Sequence, residues 1–170
     1  MALRPIKNCF DPVLRKQCEI VKNIDGELIT LSKDMIETTL AAPGIGLAAN
    51  QIGVPWRVFV VNMGVETDTD NLITLINPEI TAMEGSESGE EGCLSIPDVV
   101  VEVNRAIQIE IKAVDLNGKD IRYEASGLLA RALQHEMDHL NGILFWDSLG
   151  KIKRDILKRK FKKKLKEQEE

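Results

Sequence analysis

The 170-residue chain has few cysteines and histidines and no long apolar run, three features that commonly identify a class of protein. Its three cysteines are an odd number and provide no disulfide framework, so we expect reduced thiols. No apolar run approaches the roughly 20 residues that span a membrane, and the N-terminal residues lack the apolar segment of a secretory signal. These absences predict a cytoplasmic protein with no membrane segment.

The remaining composition is typical of a globular protein. Hydrophobic residues make up 44% of the chain and charged residues 29%, which suits one domain with a sizeable core. The net charge of −5 is unevenly distributed: residues 151–170 carry ten Lys/Arg and four Asp/Glu, a balance of +6, which leaves −11 for residues 1–150. We therefore expect an acidic domain over residues 1–148 and a basic C-terminal helix over residues 149–170.

Histidine is scarce, and the two histidines, His135 and His139, stand four residues apart with Glu136 between them. Positions i and i+4 lie on one face of an α-helix, so both imidazoles can bind one metal ion while Glu136 acts as a general base. Ser126 as an N-cap and an Asn-Gly pair at 141–142 predict the ends of this helix. The alternative is a solvated helix face with two incidental histidines, a coincidence of about 1 in 100 for this spacing.

Other patterns predict strands around this helix. An amphipathic segment predicts a short helix over 32–42 that ends at Pro43, and polar segments at 66–71 and 85–89 predict loops, the second of them flexible. An Asn-Gly pair at 117–118 predicts a hairpin turn. The fold class is therefore α+β, with short antiparallel β-sheets packed around one central metal-binding helix. The segments whose residues favour strands are 58–61, 72–76, 99–103, 107–111 and 121–123.

Two further segments are rich in small residues. The glycines of residues 44–51 (GIGLAANQ) allow either a tight turn or a close approach of the backbone to a ligand. A dinucleotide-binding motif is disfavoured here because its third glycine and its preceding strand are missing. Residues 90–97 (EEGCLSIP) place Cys93 among acidic and small residues, either as a half-buried thiol in a turn or as a metal ligand.

Three segments together resemble the signature motifs of the peptide deformylase family: GIGLAANQ at 44–51, EGCLS at 91–95 and QHEMDH at 134–139. They occur in the order and approximate spacing of that family, and the resemblance extends from about Asp11 to Trp146. The basic tail is similar to that of bacterial members with a C-terminal helix. The resemblance implies a metallohydrolase that removes the formyl group from the N-terminal formylmethionine of nascent polypeptides.

The resemblance also implies a metal site made by Cys93, His135 and His139. Three protein ligands leave a fourth position open, as in catalytic sites, and a thiolate suits a softer ion. The implied metal is Fe(II), with Zn, Ni or Co as substitutes. Glu136 is then the general acid/base for an activated water.

The resemblance implies oxyanion-stabilising donors and a substrate pocket as well. The donors are the side-chain amide of Gln51 and the backbone N–H of Leu94. At position 131 many deformylases have an apolar residue, and this chain has arginine instead. Several members also carry an arginine in the place of Val99–Val101. The implied substrate-binding residues are Ile45, Gly46, Glu91, Gly92, Leu128 and Arg131.

Two other functions remain open from the residues. A zinc endopeptidase shares the H-E-x-x-H pattern, but it takes a third ligand from a downstream Glu or His, and no histidine follows His139. A non-enzymatic ribosome- or RNA-binding protein would hold a structural metal with four ligands, for which Cys9 and Cys18 are formal candidates.

The tail has apolar residues at spacings of three and four, which predict a helix with an apolar stripe and basic remaining faces. One interpretation is a solvated helix whose charges aid solubility. The other is that residues 149–170 bind the ribosome near the nascent-chain exit, since the acidic body would not bind RNA alone. The stripe residues are Leu149, Ile152, Ile156, Leu157, Phe161 and Leu165.

Overall fold

The computed structural model describes residues 2–42, 44–65 and 70–169. Pro43, the predicted end of the first helix, and residues 66–69 of the predicted polar loop lie outside these ranges. The elements in chain order are α1 (Gly26–Ala41), β1 (Gly46–Ala48), β2 (Val58–Asn62), β3 (Leu72–Glu84), β4 (Glu87–Cys93), β5 (Ile96–Arg105), β6 (Gln108–Val114), β7 (Asp120–Ser126), α2 (Gly127–Leu140) and α3 (Lys151–Glu169).

One antiparallel sheet and helix α2 form the main core. The five strands are ordered β1-β2-β3-β6-β7, and each is antiparallel to its neighbours. Leu133 and Leu140 of α2 join Phe59, Leu75 and Ile111 of the sheet in one buried cluster. Burying each of these side chains contributes roughly 1.5–3 kcal/mol. The arrangement confirms the predicted α+β fold, in which the sheet supports the helix that carries both histidines.

Strands β4 and β5 form a separate two-stranded hairpin. Cys93 is the last residue of β4 and pairs with Ile96 across the turn. The flexible loop predicted at residues 85–89 is wrong from Glu87 onward, because pairing with β5 overrides the local Gly and Ser composition. Cys93 therefore lies at the end of a strand.

Helix α2 begins and ends where the sequence predicts. Ser126 occupies the N-cap position, although its side chain makes no capping hydrogen bond. The backbone N–H of Asn141 closes the last turn. Gly142 follows with a φ of 74°, and an added Cβ would lie 2.7 Å from the carbonyl oxygen of Arg15. Glycine is therefore required at this stop for both its backbone conformation and its size.

Helix α3 packs against the β4–β5 hairpin through its C-terminal half. Phe161 is 2% exposed and contacts Trp146 edge-on at a centroid distance of 6.4 Å. The predicted stripe is wrong at the start of the helix, because Ile152 is 79% exposed and Ile156 is 43% exposed. Within the described ranges, no helix is both long and apolar enough to cross a membrane. The stripe residues that reach the buried cluster are Leu149, Leu157, Phe161 and Leu165.

Candidate active site

Cys93, His135 and His139 converge where the β4–β5 hairpin meets α2. The Nε2 atom of His139 lies 3.4 Å from the Sγ atom of Cys93 and 3.2 Å from the Nε2 atom of His135. The three atoms that could bind a metal lie within 4.8 Å of one another. One ion can therefore contact all three side chains, as the i, i+4 spacing predicts for the two histidines.

Glu91 orients His135. Its Oε1 atom lies 2.9 Å from His135 Nδ1, which leaves Nε2 of the ring toward the other two side chains. Arg105 donates two hydrogen bonds to the carboxylate, and Arg131 donates a third. Burial raises the pKa of Glu91, but its bonds with Arg105 and His135 outweigh burial and lower the pKa to about 2. Glu91 is therefore ionised at neutral pH.

The two histidines have different proton affinities. Burial lowers the pKa of His135, but hydrogen bonds with Cys93 and Glu91 outweigh burial and raise the pKa to about 10. Burial and the adjacent charge of His135 lower the pKa of His139 well below its usual value. A metal ion that binds here must displace a proton from His135.

Glu136 lies against the first glycine-rich segment. Its side chain passes so close to Gly46 that an added Cβ would lie 3.2 Å from Glu136 Cγ. Burial raises the pKa of Glu136 to about 7, despite the opposing charge of His135. The Oε2 atom is buried and has no hydrogen-bond partner among the described residues. A carboxyl group with a pKa near 7 and an unpaired oxygen can both accept and return a proton.

Gln51 is held beside Cys93 by both ends of its amide. Its Oε1 atom accepts a hydrogen bond from the N–H of Ala48 at 2.9 Å, and its Nε2 atom donates to Ser95 Oγ at 3.0 Å. Gln51 Nε2 also lies 3.9 Å from Cys93 Sγ. Leu94 follows Cys93 in the turn between β4 and β5. The structure therefore brings both predicted oxyanion donors to the candidate metal ligands.

A pocket of about 460 Å³ opens beside these groups. At its rim, Asp98 has a φ of 65° and its carboxylate accepts a hydrogen bond from Lys164 Nζ of α3 at 2.6 Å. Arg131 lines the wall with its guanidinium paired to Glu91. All six residues predicted to bind substrate line this pocket: Ile45, Gly46, Glu91, Gly92, Leu128 and Arg131.

Sequence reasoning missed several residues that support the site. Arg105 connects Glu91 to Asp138 of α2, which its Nη1 atom contacts at 2.6 Å. The Asn50 side chain donates to the carbonyl of His139 at 2.6 Å, and Ser95 accepts from Gln51. No local pattern indicates these pairings, because each joins residues at least 14 positions apart. The sequence offers one signal, an arginine that follows the strand predicted at residues 99–103.

The donor set fits a transition metal ion. A thiolate and two imidazoles are ligands typical of Zn and Fe(II), and the cluster contains three such side chains among the described residues. Three candidate ligands beside a pocket and a carboxyl group suited to proton transfer are typical of a catalytic centre, because structural sites commonly have four protein ligands. The molecule is therefore a metal-dependent hydrolase of α+β fold.

The chain belongs to the peptide deformylase family. The family model described as polypeptide deformylase matches residues 3–155. The peptide deformylase of Thermodesulfovibrio yellowstonii is 49% identical over 164 residues, which cover 96% of this chain and 99% of that protein. The crystal structure of a peptide deformylase from Legionella pneumophila has a TM-score of 0.92 and 42% identity and covers 98% of both chains. That from Ehrlichia chaffeensis in complex with actinonin has a TM-score of 0.91 and 38% identity and covers 96% of this chain and 98% of its own.

Family and fold establish the activity as removal of N-terminal formyl groups from nascent peptides. They do not support a zinc endopeptidase or a non-enzymatic RNA-binding protein.

Proposed function

We propose that Cys93, His135 and His139 hold Fe(II), for which Zn, Ni or Co can substitute. The convergence of these three side chains within 4.8 Å is the observation that carries the proposal. A thiolate favours a soft, redox-active ion, and imidazoles suit all four metals. When bound, the metal supplies Lewis acidity and makes a water easier to deprotonate near neutral pH.

Glu136 moves the proton in this reaction. With a pKa of about 7 it is present in both protonation states at neutral pH. Its unpaired Oε2 atom accepts the proton of the attacking water, and the same oxygen then returns it to the amine that leaves the formyl carbon. The amine thus departs in neutral form. Gly46 permits this placement because a larger residue would contact the Glu136 side chain.

Gln51 and Leu94 stabilise the oxyanion that forms on the formyl oxygen. The Gln51 amide is prevented from rotating by its bonds to Ala48 and Ser95, and its Nε2 atom has a second hydrogen beyond the one given to Ser95. The backbone N–H of Leu94 is the second donor. Removal of one such donor typically costs about 100-fold to 1,000-fold in rate.

The methionine side chain of the substrate occupies the pocket beside Glu136. Its walls offer apolar contact from Ile45 and Leu128 and backbone surface from three glycines, which suits an unbranched apolar side chain. The charge of Arg131 is paired with Glu91, so the apolar side chain does not desolvate an unpaired cation. The proposed substrate-binding residues are Ile45, Gly46, Glu91, Gly92, Leu128 and Arg131.

An assay with formyl-Met-Ala-Ser tests these assignments. Protein reconstituted with Fe(II) under anaerobic conditions should release formate, and it should leave unformylated Met-Ala-Ser and internal peptide bonds intact. The metal-free protein is the control. Formate release at the same rate without metal would refute the assigned site, and cleavage of internal bonds would refute the assigned substrate.

We also propose that residues 1–148 carry catalysis and that the basic helix over 149–170 binds the ribosome near the nascent-chain exit. The helix has exposed lysines on the surface that faces away from the body, and the phosphates of RNA attract such cations. Proximity to the exit would bring the enzyme to its substrates as they emerge. A ribosome-associated role implies the cytoplasm as its place of action.

A further inference from the structure

The proposed metal ligands come from two elements that share no strand pairing. Cys93 belongs to the β4–β5 hairpin, whose strands pair with each other and with no other strand in the described ranges. His135 and His139 belong to α2. Functional groups must be held within about 0.5 Å of their productive geometry. Side-chain contacts must therefore fix the hairpin against the helix.

Arg131 makes such a contact from the helix side. It lies one turn before His135, and its Nη1 atom donates to Glu91 Oε2 at 2.9 Å and to the carbonyl of Val103 at 2.8 Å. Its Nη2 atom donates to the carbonyl of Glu87 at 2.8 Å. The side chain is 12% exposed. One planar guanidinium therefore joins α2 to both strands of the hairpin.

The guanidinium of Arg131 packs directly against Gly89. It pairs with Val103 across the hairpin, and an added Cβ would lie 3.0 Å from Cζ, 3.1 Å from Nη2 and 3.2 Å from Nε of Arg131. The φ of Gly89 is not positive, so its backbone conformation is open to other residues. A larger residue here would therefore crowd the guanidinium of Arg131 by a few tenths of an ångström.

Arg105 does not duplicate this contact. It belongs to β5, and its two bonds to Glu91 stay within the hairpin. Its one bond to the helix reaches Asp138, which lies on the far side of His135 from Arg131. The two arginines thus tie α2 to the hairpin at positions on either side of a proposed ligand.

We propose that Arg131 is a positioning residue for the metal centre. Its guanidinium packs against Gly89, holds the hairpin against α2 and keeps Cys93 and His135 at the separation that a single ion requires. This inference rests on the proposed ligand set. It gives Arg131 a role in metal retention, in addition to its place in the pocket wall.

Titration of the metal-free protein with Co(II) tests the proposal. The thiolate-to-cobalt absorption band reports coordination by Cys93, and competition with a chelator gives the affinity. We expect Arg131→Leu to weaken Co(II) binding by about 10-fold to 100-fold, as is typical when a group that orients a ligand is lost, and to diminish the band. Arg131→Lys keeps the charge without the planar fork, so its affinity should lie between the two.

Gly89→Ala provides the decisive second variant. Its methyl group should displace the guanidinium and weaken Co(II) binding in the native background. In the Arg131→Leu background it should have no further effect, because the group that it displaces is gone. Matched controls are Arg122→Leu, which removes a surface arginine that is 64% exposed, and Gly150→Ala, where an added Cβ meets nothing within 4 Å. Both controls should bind Co(II) as the native protein does.

The outcomes separate this inference from the ligand assignment. Native protein without the thiolate band would refute the ligand set itself. A normal band with native affinity in Arg131→Leu would overturn the positioning role, as would a lower Tm without any change in Co(II) binding. Equal effects of Gly89→Ala in both backgrounds would also overturn it. If Arg131→Leu does not fold, Arg131→Lys and Gly89→Ala decide the question by the same readouts.

Discussion

Arg105 holds Glu91 in a bidentate ion pair, with N–O distances of 2.8 Å and 2.9 Å, and both side chains are almost fully buried. The carboxylate of Glu91 is the counter-ion of Arg105 and Arg131, and the two guanidinium groups in turn stabilise its negative charge. Loss of one partner of a buried pair is strongly destabilising, because the remaining charge stays out of water with one counter-ion fewer.

Glu91→Gln should therefore lower the free energy of unfolding by about 3 kcal/mol. The amide keeps the volume of the side chain but leaves Arg105 and Arg131 without their shared anion. Urea unfolding of the metal-free protein measures the change. Glu110→Gln is the matched control, since Glu110 pairs with the largely exposed Arg122 and should lose less than about 1 kcal/mol. Equal losses in both variants would contradict the assignment.

Glu136→Ala should keep the metal and lose deformylation by at least about 100-fold, because we propose that Glu136 transfers protons and is not a ligand. Glu136→Gln is a variant of closer size that removes the proton-transfer function alone. Metal content by atomic emission should be measured on the same samples as formate release. An active Glu136→Ala protein would disprove the role.

Cys93→Ser should weaken retention of Fe(II), since a hydroxyl group is a harder and poorer ligand than a thiolate. Cys18→Ser is the control, because Cys18 is buried in the core beside the sheet. Iron remaining after anaerobic dialysis gives the result. If Cys93→Ser keeps as much iron as Cys18→Ser, then Cys93 is not a ligand.

The helix, the fold class and the pair of histidines could be predicted because each depends on residues close together in sequence. His135 and His139 share a face through the geometry of one helix, and the apolar spacing of residues 128–140 predicts that helix directly. Cys93 lies 42 residues before His135, and residue spacing alone could not assign it as their partner. The resemblance in three motifs supplied that link.

The parts that could not be predicted depend on strand register and on long-range contacts. The segment at residues 87–89 has the composition of a loop, and it becomes a strand because Gly89 lies opposite Val103. That same register gives Arg131 a carbonyl acceptor in Val103. In the tail, the apolar residues recur every three or four positions, which predicts a helix. This spacing could not show that α3 contacts the body through Phe161 and not through Ile152.

Phe161→Ala should lower the free energy of unfolding by about 3 kcal/mol, within the range for removal of a buried phenylalanine. The cavity would open beside Trp146 and weaken the attachment of α3. Thermal unfolding with and without metal measures this loss. Ile152→Ala, at a site that is 79% exposed, is the control and should change stability little. A small effect of Phe161→Ala would mean that α3 is not held to the body in solution.

Because Phe161 is buried, the ribosome proposal is better tested by charge reversal than by deletion of the tail. The reversal of four exposed tail lysines to glutamate should abolish cosedimentation with ribosomes and leave deformylation of free peptides near the native rate. Binding by the native protein should weaken steeply as salt is raised. Full binding by the reversed protein would refute the proposal. The tail lysines are Lys160, Lys162, Lys163 and Lys166, and matched reversals on the body are Lys7, Lys22, Lys33 and Lys119.

The burial of Phe161 and the ion pair between Lys164 and Asp98 determine how the molecule would face a surface to which α3 binds. A flexible tether would only raise the local concentration of the enzyme, with every orientation of the pocket equally available. Helix α3 instead packs against the body on one side, and its Lys164 contacts Asp98 at the pocket rim. Docking of its outer face would therefore set the direction in which the pocket opens, so a peptide leaving a fixed exit would always meet the enzyme from the same side.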